Sequence, residues 1–239
     1  MTTSPNPVRS PRHRSPISLT KANSLPHESI RGKMDSPTTI LSPRVGIIPP
    51  PSECIYTSCY CEENVWHLCS WVRTHRPEEI SRCSAVFISN SKKQIPLWRQ
   101  RAGRGEERLV IWDYHVVFLH QFGDKCLVYD LDSELPFPTF FPKYVTETFR
   151  TDQILDATYH RYFRVVPATV YLTKFSSDRR HMRKTDGSWL KPPPEYPCLQ
   201  MPGSSHNLDD FVSMEPSKSG LGEVYTLMDF VRKFYTNLK

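Results

Sequence analysis

Aromatic residues and cysteine are missing from the N-terminal end of the chain. The first 53 residues contain no Phe, Trp, Tyr or Cys, while ten of the 22 prolines fall before Ser52. Such a stretch cannot bury enough apolar surface to offset the entropy of ordering it. Ser-Pro steps recur there among scattered arginines, at Ser4-Pro5, Ser10-Pro11, Ser15-Pro16, Ser36-Pro37 and Ser42-Pro43. Residues 1–45 are therefore expected to form a disordered tail. Glu28 is its first acid, as in an organellar presequence, but prolines every few residues forbid the amphipathic helix such a signal needs. An apolar leader segment is also lacking, and no apolar run approaches the ~20 residues a membrane helix requires. No membrane partner is expected.

The chain has no Cys-x-x-Cys pair, and its seven cysteines are an odd number. Free thiols in a reducing compartment are expected, with the protein in the cytoplasm and the nucleus also open to it. Excess charge is likewise missing from the part that folds. The first 53 residues hold seven Lys/Arg against three Asp/Glu, so four of the six net positive charges lie there. The remainder is nearly neutral, and nucleic acid is not an expected partner.

What remains is enough for one domain, expected over residues 46–239, in a chain of 38% hydrophobic and 12% aromatic residues. Pro49-Pro50-Pro51 marks its start. Val65, Cys69 and Val72 recur at helical spacing and predict a helix over Cys61–Thr74, ended by Arg76-Pro77. Ala85–Ser89 and Gln94–Trp98 read as strands, and Arg99–Arg108 as a charged loop. Val110–His120 reads as one long strand, Gly123-Asp124 as a two-residue turn, and Cys126–Asp132 as the returning strand. Strict alternation would put Trp112, Tyr114, Val116 and Phe118 on one face and His115 on the other.

Further on, Tyr144–Arg150 reads as a short helix, Phe163–Val166 as a strand and Ala168–Arg183 as a helix. Lys191–Pro197 is an extended connection, and Asn207 is placed to cap a helix through Met214. Val224-Tyr225 is a short strand. Thr226-x-x-Asp229 has the form of a capping box opening a helix to Asn237. Helices mixed with an antiparallel hairpin indicate an α/β (α+β) domain, open to an α-β-α layering.

Chemistry concentrates in two places. Cys61 falls at the predicted helix start, where unpaired N–H groups and the positive end of the dipole favour a thiolate. The opposing reading is a small buried hydrophobe, as most free cysteines are. Glu62 and Glu63 beside it also work against a thiolate. In the hairpin, facing residues sum to 247 if Gly123-Asp124 is the turn. His115 then faces Asp132, with Asp130 its diagonal neighbour on the same face. A histidine on one strand beside a carboxylate on the next is the orienting half of a nucleophilic triad. Counting does not decide between the two aspartates, though it leans to Asp132.

The local sequences carry more. Ser58-Cys-Tyr-Cys-Glu-Glu-Asn-Val-Trp66, Val110-Ile-Trp-Asp-Tyr-His-Val-Val117 and Tyr129-Asp-Leu-Asp-Ser-Glu-Leu-Pro-Phe-Pro138 resemble the protein N-terminal glutamine amidohydrolases, the WDYHV-motif family. So do Phe175–Met182, Pro192–Cys198, Asn207–Pro216 and Val224–Thr226, and the resemblance runs from about Glu53 to Phe234. It implies a monomeric three-layer α-β-α sandwich, a largely antiparallel sheet and a papain- or transglutaminase-like thiol hydrolase core. By motif position it implies Cys61 as nucleophile, His115 as base and Asp130, rather than Asp132, as orienting carboxylate.

The implied activity converts an N-terminal glutamine on a protein or peptide to glutamate, releasing ammonia, as a step towards arginylation and degradation. No metal and no organic cofactor is implied. Selectivity for a free α-amine calls for a buried acceptor or anion near the site, for which Glu62, Glu63 and Asp113 are candidates. The alternatives are a thiol peptidase, a transglutaminase-like acyltransferase, or a non-catalytic module that binds N-termini.

Overall fold

A computed structural model describes residues 46–216 and 220–235. The tail expected over residues 1–45 and the last residues of the expected C-terminal helix lie outside the described residues.

The hairpin sets the frame. Strand β4 (His115–Phe122) and strand β5 (Lys125–Tyr129) pair antiparallel with Phe122 opposite Lys125, the register the Gly123-Asp124 turn requires. Gly123 has φ 56°, the left-handed conformation that a two-residue turn with glycine first demands. On the other edge of β4 lies β1 (Cys83–Ser89), then β7 (Tyr162–Pro167) and β8 (Glu223–Thr226), while β6 (Thr139–Phe140) closes the β5 side. The order β6-β5-β4-β1-β7-β8 makes a six-stranded sheet with antiparallel pairing throughout.

Both faces of this sheet are apolar, and each is covered by helices. On one face Phe87, Val116, Phe118, Tyr129 and Val166 pack under α1 (Cys61–His75), α3 (Ala168–Lys174) and α4 (Leu208–Val212). On the other, Val86, Ile88, Val117, Leu119, Val128 and Phe163 meet α2 (Phe141–Tyr144), the π-helical turn that continues it to Phe149, and α5 (Leu227–Tyr235). The fold is therefore mixed helix and antiparallel sheet in three α-β-α layers. Helix α1 presents Val65, Leu68, Cys69 and Val72 to the sheet, the face its apolar spacing predicts. Thr226 caps α5 as expected: its hydroxyl accepts from Asp229 N and donates to the Asp229 carboxylate.

Three expectations are corrected. Val110–His120 is not one strand. Val110–Trp112 is a separate strand, β3, paired with β2 (Ile95–Leu97) in a small second sheet. The chain leaves that sheet at Asp113-Tyr114, where Ser89 Oγ donates to Asp113 O, so alternation restarts at His115. The helix predicted over Ala168–Arg183 stops at Lys174. Phe175 turns into extended backbone, and Ser177 N and Asn207 N bond to Leu199 O and Ser176 O. Finally, Asn207 does not cap α4 with its side chain. Its amide instead accepts from Ser176 N and donates to Lys174 O, joining the ends of two segments.

Phe230 on α5 stacks on Phe163 with ring centroids 4.5 Å apart, and also meets Phe141 and Phe149. Phe230→Ala should lower stability by about 3–5 kcal/mol, the usual cost of deleting a buried ring. Urea unfolding measures this, and an unchanged midpoint would show that α5 is not held by the ring cluster.

Candidate active site

Cys61 is the first residue of α1, and the chain is bent sharply to deliver it there. Cys59 adopts φ 69°, a strained conformation for a residue with a side chain. Asn64 then clasps the preceding turn to the helix, accepting from Thr57 N at 2.8 Å and donating to Thr57 O at 2.9 Å. Asn64 N makes the first helical bond, to Tyr60 O. The N–H groups of Cys61, Glu62 and Glu63 precede it and belong to the unpaired helix end.

His115 opens β4 at the end of the sheet over which this helix start lies. Its imidazole is buried and its Nε2 stands 3.0 Å from Asp130 Oδ1. The partner is Asp130 and not Asp132, to which the plain hairpin count leans. The β4–β5 ladder ends at Phe118–Tyr129, and Asp132 is drawn away, accepting from Tyr56 Oη at 2.6 Å. Asp130 is held by four donors. Oδ1 accepts from His115 and from Asp132 N, and Oδ2 from Tyr144 Oη at 2.6 Å and Gln100 Nε2 at 3.2 Å. With Nε2–H turned to the carboxylate, Nδ1 is the basic nitrogen left for chemistry.

Burial alone would strip the proton from His115, but the Asp130 charge and hydrogen bond outweigh it and raise the imidazole above its ordinary 6.5. Burial likewise opposes ionisation of Asp130, and His115 with the surrounding donors pulls it below the usual carboxylate range. Burial, then Glu62 and Asp132, push the Cys61 thiol well up, with a hydrogen bond from Val116 N–H acting the other way. The resting sulfur is thus a thiol that needs a base.

Cys61, His115, Trp112, Asp113, Tyr114, Asp132 and His181 line one cleft of about 380 Å³. The restart of alternation brings the Trp112 ring parallel to His115, centroids 5.4 Å apart, rather than to the opposite face as predicted. Trp112 Nε1 donates to Gln100 Oε1, so one glutamine ties the tryptophan to Asp130.

The three candidate acids separate. Glu63 is buried and both its oxygens are taken by Arg179, at 2.9 and 2.8 Å, so it faces a guanidinium and not the cleft. Glu62 is also buried; its Oε2 accepts from Tyr114 Oη at 3.0 Å and lies 3.7 Å from Cys61 Sγ, while Oε1 is 3.3 Å from His181 Nε2. Asp113 is exposed on the cleft wall, with one oxygen accepting from Tyr114 N.

Among the described residues, His115, Asp130 and Asp132 place one ligand atom each within 4.8 Å of one another. The four lone-pair sites of Asp130 are already filled by donors. Sequence reasoning missed Gln100, Tyr144, Tyr56 and Arg179. Arg179 and His181 lie inside the Phe175–Met182 motif, which was their only signal. Gln100 in a charged loop and Tyr144 in a short helix carried none.

A model of the N-terminal glutamine amidase family matches residues 56–234, the stretch that holds every part of this cleft. The chain belongs to that family. A protein from Drosophila melanogaster named protein N-terminal glutamine amidohydrolase is 58% identical over 190 residues, covering 79% of this chain and 92% of its own length. Relatives of the same name from Drosophila mojavensis and Drosophila erecta are 58% and 57% identical over the same shares. Within this amidase, Cys61 on α1, His115 on β4 and Asp130 just past the end of β5 are gathered at one end of the sheet.

The buried pair should leave a pH signature. A raised imidazole contributes stability that is fully present below pH 6.5 and lost as pH rises through the folded value. A depressed Asp130 contributes stability above its unfolded value, lost as pH falls through the folded one. Asp130→Asn should therefore lower the melting temperature more at pH 6 than at pH 9. Equal losses at both pH values, by calorimetry, would mean the pair is not charged in the fold.

Proposed function

We propose that the protein hydrolyses the side-chain amide of an N-terminal glutamine on proteins and peptides, giving N-terminal glutamate and ammonia, with Cys61, His115 and Asp130 as a thiol triad. The observation that carries this is a thiol at a helix N-terminus sharing one cleft with a carboxylate-oriented histidine, in a chain of the amidase family.

The steps follow from the groups present. His115 Nδ1 takes the Cys61 proton as sulfur adds to the carboxamide carbon, and the carbonyl oxygen becomes an oxyanion. The N–H groups at the start of α1 are the donors placed to receive it. The proton on His115 passes to the departing nitrogen, the C–N bond breaks, and ammonia leaves a thioester. Water then gives a proton to His115 and its oxygen to the acyl carbon, and the proton returns to sulfur as glutamate is released. Asp130 holds the imidazole in the required tautomer and stabilises its charged form.

Asp113 is the acid we assign to the substrate's α-ammonium, because it alone of the three candidates is both exposed and on the cleft wall. A monomer in a reducing cytoplasmic compartment, handing N-terminal glutamate to an arginyl transfer, completes the reading. All seven cysteines are free, which supports the compartment.

Ammonia release from a Gln-initiated peptide is the test. Cys61→Ala should abolish it with folding intact, and Cys59→Ala should retain substantial turnover. Equal loss in both would misassign the nucleophile. Backbone cleavage, or turnover only with an added amine, would point to the peptidase or the acyltransferase instead. Asp113→Asn should raise KM for the peptide several-fold while kcat changes little, about the effect of losing one exposed charge contact. A fall in kcat at constant KM would place Asp113 in the chemistry rather than in binding.

A further inference from the structure

Asp132 is the acid of the cleft that the mechanism leaves unused. It lines the cleft with Cys61 and His115, and its carboxylate reaches within 4.8 Å of a His115 ring nitrogen. It is built into place. Its N–H bonds to Asp130 Oδ1 at 2.9 Å, its carbonyl accepts from Arg101 N at 2.7 Å, and Tyr56 Oη holds Oδ1 at 2.6 Å. Among the described residues no other hydrogen bond to its side chain is made.

A negative charge here works against the nucleophile, since it helps push the Cys61 thiol up. Burial, followed by the nearby Asp130, raises the Asp132 carboxyl itself despite the pull of His115. An asparagine would take the Tyr56 hydrogen bond without either cost. The carboxylate therefore answers to something in the substrate.

The reaction identifies it. His115 must protonate the departing nitrogen, so the carboxamide nitrogen lies beside the imidazole. Asp132 lines the same cleft as Cys61 and His115, which puts its carboxylate on the wall that the carboxamide nitrogen enters against. Before reaction, the position holds an NH₂ group with two N–H donors. After thioester hydrolysis, it holds a negatively charged oxygen.

We infer that Asp132 distinguishes the glutamine side chain from the glutamate it becomes, accepting a hydrogen bond from the carboxamide NH₂ and repelling the product's γ-carboxylate. A site built to accept an N–H strongly rejects an analogue that lacks it, and like charges brought together add to the rejection. The consequence is a cleft that expels its product. This rests on the amidohydrolase reading above.

The test compares a Gln-initiated peptide as substrate with the same peptide beginning in Glu as inhibitor, using the full chain. In the native protein the Glu peptide should inhibit weakly. Asp132→Asn keeps the shape and an acceptor oxygen but removes the charge. It should lower the inhibition constant of the Glu peptide by about tenfold or more, the scale of one like-charge contact, while kcat/KM for the Gln peptide falls and turnover persists. Tyr56→Phe, which frees the carboxylate without removing it, should move the inhibition constant in the same direction by a smaller factor. Unchanged inhibition constants in both variants, with native melting temperatures, would overturn the inference while leaving the amidohydrolase reading intact. No ammonia from the native protein would overturn both.

Discussion

A carboxylate buried in a protein must be surrounded by donors or give up its charge, and the arrangement of this site follows from meeting that condition at Asp130. Its donors come from four stretches of chain: Gln100 in the loop between the two strands of the small sheet, His115 at the start of β4, the adjoining Asp132 backbone and Tyr144 at the end of α2. Each is fixed by the bond it makes. Gln100 in turn holds Trp112, whose ring lies on the imidazole. The His115–Asp130 pair is thus a knot joining both sheets to the helical layer on the far side.

The thiol is held by a second, independent set. Asn64 ties the turn before Cys61 to the helix after it. Next to Cys61 along α1, Glu63 and Arg179 form a buried bidentate pair, and the same guanidinium donates to Pro194 O and Tyr196 O. Removing either partner would strand a buried charge, which is far more damaging than losing an exposed pair. This pair fixes the Lys191–Pro197 connection against the start of α1.

Between these two sets the Cys61 thiol lies in an acidic enclosure. Burial first, and then Glu62 and Asp132, raise the sulfur's affinity for its proton, with the Val116 N–H acting the other way. In the proposed reading activation of the thiol falls to His115, and a cationic substrate end entering the cleft would add to it by offsetting the surrounding charge.

Much was legible in the residues alone. Periodicity gave α1 and its buried face, the Gly123-Asp124 pair gave the hairpin and its register, and Thr226-x-x-Asp229 gave the capped start of α5, because each rests on interactions within a few residues. The motifs around Cys61, His115 and Asp130 marked the family. The tertiary structure decided the rest. The break of Val110–His120 at Asp113-Tyr114 depends on a second sheet formed by distant residues, and that break is what turned Trp112 onto His115. Asp130 prevailed over Asp132 because the ladder ended at Tyr129 and Tyr56, far away in sequence, claimed the other acid. Glu62 and Glu63 are neighbours of the same type, yet one touches the cleft wall and the other a buried guanidinium. Sequence determines such local geometry where its partners are near in the chain; partners more than fifty residues apart, as Glu63 and Arg179 are at a separation of 116, are brought together only by the packing of the layers.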